Sequence, residues 1–95
     1  MTSIAAAFAD IAEQIDGRAQ EETLREVFAR TQTLCQEAVA RASSADMRQL
    51  LGNVQAALAR WHEVWPRLGG QRDFRSAVAR EARLWSRKFS AGQAS

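Results

Sequence analysis

The stretch SADMRQLLGNVQAALARWHEVWPRL, Ser44 to Leu68, decides the fold. Its apolar residues Met47, Leu51, Val54, Leu58, Trp61, Trp65 and Leu68 recur in alternating steps of four and three. That spacing keeps one stripe of a helix against its neighbours. Leu50, Ala57 and Val64 form a second row, which widens the stripe into a face that needs more than one partner. The stretch predicts a central helix in an all-α bundle.

Upstream, Leu24, Phe28, Thr31, Cys35, Ala38 and Ala42 repeat the same steps and predict a helix beginning near Gln20. Glu21 and Glu22 suit its first turn. The pairs Glu21–Arg25, Glu26–Arg30 and Glu37–Arg41, each four residues apart, mark its wet side. Only Ala42-Ser43-Ser44 separates this helix from the central one, and Ser43 with Asp46 has the spacing of a capping box. So short a connection folds the two into a long antiparallel hairpin.

A shorter helix precedes the hairpin, capped by Thr2 or Ser3, with Ile4, Phe8, Ile11 and Ile15 on its inner stripe. Asp16-Gly17 ends it, with Gly17 expected in the left-handed position. Downstream, Pro66 stops or kinks the central helix and Gly69-Gly70 completes the break. A fourth helix then runs from Arg72 or Phe74 to Phe89 along Phe74, Val78, Ala82, Trp85 and Phe89. The expected architecture is a small antiparallel four-helix bundle over residues 1–89, with 90–95 as a frayed tail.

Composition agrees. At 95 residues one core is affordable and no more, and a chain with one proline and no tyrosine leaves little that disfavours helix. Cys35 stands alone, which excludes an internal disulfide and a thiolate cluster within one chain. The N-terminus lacks a basic segment and is broken by Asp10, so it does not read as a signal peptide. No apolar run is long enough to cross a bilayer. A cytoplasmic location is the expectation.

Gly52 admits two readings. It lines up with Ala45, Ala56 and Ala59, so it marks either a close crossing of the alanine-rich first helix or an exposed turn. Residues that could carry chemistry are sparse. His62 is the one histidine and has Ala59, not a glutamate, three positions before it, so the carboxylate-bridged metal pattern is absent. Cys35 on the seam reads as a small hydrophobe. No phosphate-cradling loop or nucleophile motif is present, and neither catalysis nor a cofactor is expected.

Two surface features remain. Three tryptophans lie in the C-terminal half, each able to bury roughly 150–250 Å². Trp61, Trp65, Trp85 and Phe89 are the candidates for an interface, because the central and fourth helices offer more apolar surface than two slim neighbours would cover. The other feature is charge. Residues 1–65 carry six arginines against nine acids, whereas 66–95 carry seven basic residues against Asp73 and Glu81. Arg72, Arg80, Arg83, Arg87 and Lys88 form a candidate basic face on the fourth helix, with Arg75 flanking it. Such a face either grips phosphates or carboxylates or simply answers the helix dipole in water. The expected function is a small non-enzymatic protein–protein interaction module, with a homo-oligomer as the expected assembly. The alternative is a nucleic-acid-binding regulator using the basic face, and a third possibility lays the fourth helix on an anionic membrane.

Overall fold

The computed structural model describes residues 3–94, and they form four helices: α1 (Ile4–Asp16), α2 (Glu21–Arg41), α3 (Ala45–Leu68) and α4 (Arg72–Ala94). The four wind into an antiparallel bundle. α2 and α3 make the long hairpin, α1 packs chiefly on α4 and next on α2, and α3 meets α4 over a short stretch. At 39 × 23 × 22 Å, the bundle is about as long as its 24-residue central helix requires.

The starts of α1 and α3 have a local cause. Ser3 accepts a hydrogen bond from the Ala6 amide at 3.1 Å, while Thr2 lies outside the described residues. At α3 the cap is Ser44, not Ser43: its hydroxyl accepts from the Met47 amide at 3.1 Å, and Asp46 sits in the first turn. Either serine has the chemistry. Extended backbone at Ser44 (φ −106°, ψ 145°) is what places its oxygen over the exposed amides. The turn is further closed by Arg48, which donates to the Ala42 carbonyl at 2.8 Å.

The helix ends depart from expectation. Gly17 has φ −78°, and the left-handed residue is Arg18, at φ 57°. Arg18 N–H donates to Ile15 O at 3.1 Å and Ala19 N–H to Gln14 O at 2.9 Å, so the Schellman pair of bonds sets the left-handed residue one position later than the glycine. Pro66 does not end α3, which continues two residues to Leu68. Proline falls in the last turn, where one missing amide bond does not stop the helix. Gly69 is also right-handed (φ −63°) and serves a different purpose. A Cβ there would lie 2.5 Å from the Trp65 indole nitrogen and 2.6 Å from the Trp65 carbonyl oxygen, so only glycine leaves room for that ring. Finally, α4 does not stop at Phe89. Helix extends from the expected tail's Ser90 to Ala94, since Ser-Ala-Gly-Gln-Ala holds no proline and a lone glycine weakens a helix without ending it.

The seam of α3 is the core as read: Leu51, Val54, Leu58, Trp61 and Trp65 are buried, joined by Phe8, Ile11, Leu24 and Phe28. Met47, at the first turn, is 38% exposed and lies outside it. Gly52, Ala45, Ala56 and Ala59 are all exposed, and a Cβ on Gly52 would meet nothing within 4 Å. The stripe of small residues is an open surface, and α1 packs elsewhere. Of the three spaced pairs on α2, Glu37–Arg41 closes, at 3.7 Å. Thr31 is buried, its hydroxyl satisfied by the Val27 carbonyl at 2.8 Å.

Candidate functional site

Three of the four candidate interface residues are interior. Trp61, Trp65 and Phe89 are 4%, 3% and 5% exposed. They belong to a chain of rings through the bundle, Phe89–Phe8–Trp61–Phe28–Trp65–Phe74, with successive centroids 5.4 to 6.5 Å apart. Every helix contributes to it. The slim α1 covers more than its length suggests because Phe8 reaches between Trp61 and Phe89, and three of the four candidate rings pack within the chain. Trp85 differs. It is half-buried, the Lys88 ammonium stands 5.6 Å from its ring centre, and its enclosed Nε1 meets no acceptor among the described residues.

The basic face is exposed as read: Arg72, Arg80, Arg83, Arg87 and Lys88 all stand in solvent. At 3.6 residues per turn, Arg72, Ser76, Arg80, Arg83 and Arg87 fall within an arc of about 80°, and the row runs about 22 Å along the helix. Lys88 lies off this row, toward Trp85. Arg83 pairs with Asp16 of α1, and both side chains remain about half exposed (50% and 55%), so the pair adds little stability. One helical turn from both Arg80 and Arg87, Leu84 is 53% exposed, and among the described residues it is the more exposed of two large apolar side chains in that state, the other being Met47. The outer surface of α4 is thus a row of guanidiniums with an apolar side chain at its edge.

Arg75 does not belong to that face. Its guanidinium turns inward, donating to Gly69 O at 2.9 Å and Ile15 O at 3.0 Å, and lies 5.5 Å from the Trp65 ring centre. With Ser86 Oγ donating to Ala5 O at 2.7 Å, it ties α4 to α1 at two levels. Compared with protein-family models, with curated proteins and with solved structures, the chain has no significant match. Function has to be argued from these side chains.

Two of the concavities among the described residues lie at opposite ends of the bundle. One is a cleft of about 620 Å³ between the α1–α2 turn and the start of α4, lined by Arg18, Arg72 and Arg75 with Asp16 and Ser76. The other, about 340 Å³, lies at the opposite end, where Ile4, Leu50, Leu51 and Phe89 make an apolar floor with Arg41 and Lys88 beside it. Arg18 was not singled out by sequence. The available signal was its place directly after a glycine at a helix end. Cys35 is fully buried, and burial pushes its thiol up to about 11. His62 is half-buried on α3, and among the described residues no group of three metal-ligating side chains comes together.

Proposed function

We propose that this chain is a non-catalytic docking module that engages an acidic protein surface through the outer face of α4. The observation that carries it is the exposed row Arg80, Arg83 and Arg87 with Leu84 beside it. Arginine pairs bidentately with carboxylates, and an exposed apolar side chain beside arginines suits a protein partner, which would desolvate it, better than a phosphate backbone. Duplex nucleic acid is the second reading, favoured by the length of the row. It is weighed against by the net acidity of residues 1–65.

Self-association is a less favoured form of the same idea, because Trp61 and Trp65 lie inside, Trp85 is half-buried, and among the described residues Leu84 and Met47 are the large exposed apolar groups. No helix of the described residues is long and apolar enough to cross a membrane. A cytoplasmic setting is part of the proposal, supported by a lone cysteine kept buried.

The test is an amide-shift titration of the isotope-labelled chain with an acidic amphipathic peptide and, separately, with a short duplex. An acidic protein partner predicts shifts clustered at Arg80–Arg87 with the peptide and feeble duplex binding. Duplex binding with a log–log salt slope near about −3 would favour nucleic acid instead. Shifts with neither ligand would oppose both readings.

A further inference from the structure

We propose that the cleft between the α1–α2 turn and the start of α4 binds a small phosphorylated metabolite, its phosphate held by Arg18, Arg72 and Arg75. These guanidiniums come from two segments far apart in sequence and line one concavity of about 620 Å³, a size that suits a small-molecule ligand. The guanidinium fork matches phosphate oxygens two at a time. Asp16 is the one acid among the lining residues, and its carboxylate is engaged by Arg83, so the surplus of positive charge stands unanswered by the lining.

The cleft is also partly organised before any ligand arrives. Arg75 is fixed by Gly69 O, Ile15 O and the Trp65 ring, while two carbonyl acceptors leave other N–H groups of its five free to donate. Ser76 adds a hydroxyl one helical turn beyond Arg72. Arg18 reaches the cleft from a left-handed backbone, φ 57°, a conformation that glycine adopts without strain and arginine does not. The site adjoins the α4 row, sharing Arg72 and Ser76 with it and touching Arg83 through Asp16, whereas Arg80, Leu84 and Arg87 do not line it.

Inorganic pyrophosphate is the probe, titrated calorimetrically into the whole chain at constant ionic strength. Saturable one-to-one binding with a dissociation constant of about 1 mM or tighter is expected. Arg18→Gly should melt higher than wild type without ligand, because the left-handed strain is relieved, yet bind pyrophosphate at least about tenfold more weakly. Arg72→Gln, at an exposed position, should weaken binding similarly, and Arg80→Gln, on the same helix but outside the cleft, should bind as wild type does. The proposal is overturned if wild type shows no saturable binding. It is equally overturned if Arg80→Gln weakens binding as much as Arg18→Gly, which would mark diffuse counterion attraction.

Discussion

Replacing Gly52 by alanine should stabilise this protein, and the size of the gain can be worked out. Gly52 is the eighth residue of the 24-residue α3, exposed, with nothing within 4 Å of where a Cβ would stand. No packing term therefore opposes the change. What remains is the backbone entropy that glycine loses in a helix interior, worth about 0.8–1.0 kcal/mol relative to alanine. For a chain of 95 residues the unfolding entropy is about 0.2 kcal/mol per kelvin, so the melting temperature should rise by about 4–5 °C. Urea denaturation followed by far-UV circular dichroism should show a higher midpoint with an unchanged slope. A loss of about 1 kcal/mol or more would refute the reasoning, because it would mean that something packs on the α3 small-residue stripe in solution. Gly52→Leu would sharpen that result, since a bulky side chain is tolerated on an open surface and not in a contact.

Gly69→Ala should act in the opposite sense. Its new methyl would meet both the ring and the carbonyl oxygen of Trp65, and a loss of about 1–3 kcal/mol is expected in the same denaturation assay, with a changed Trp fluorescence. Cys35 should resist thiol reagents in the folded protein and react at once in denaturant, as rates of modification will show. Because its folded pKa, about 11, exceeds the unfolded reference of 9.0, the unfolded thiol ionises first. The stabilising contribution is complete below pH 9 and declines as pH rises toward 11, so Cys35→Ala should flatten the alkaline limb of a stability–pH curve.

The helices and their inner faces were legible because period and caps act locally: Leu51, Val54, Leu58, Trp61 and Trp65 are buried as their spacing requires. What sequence left open depended on distances between elements. Whether Trp61 and Trp65 face a partner or a neighbour turns on how far Phe8 of α1 reaches to Trp61 and how Phe28 and Phe74 close on Trp65, which no periodicity encodes. The same holds at Gly52, where glycine among alanines is compatible with either a crossing or open surface. Arg75 was expected at the flank of the basic face, and Gly69 O, Ile15 O and the Trp65 ring draw it inward. At α1's end, Gly17 drew the left-handed assignment by residue type, whereas hydrogen bonding by Arg18 and Ala19 fixes it one residue later. On α4, Arg72, Arg80, Arg83, Arg87 and Lys88 are exposed, but Lys88 lies off the row and Leu84 is its unforeseen neighbour.

The docking claim for α4 is tested most directly by comparing partner recovery on two versions of the chain, wild type and R80E/L84A/R87E. All three positions are exposed, so the variant should keep its helix content and melting temperature, and Arg83 is left in place to hold Asp16. Both chains, immobilised at equal density in an extract of the native cells, are quantified side by side by mass spectrometry. A specific acidic protein should be recovered on wild type and fall at least about tenfold on the variant, chiefly through slower association. Equal recovery of the same proteins on both chains would contradict the account.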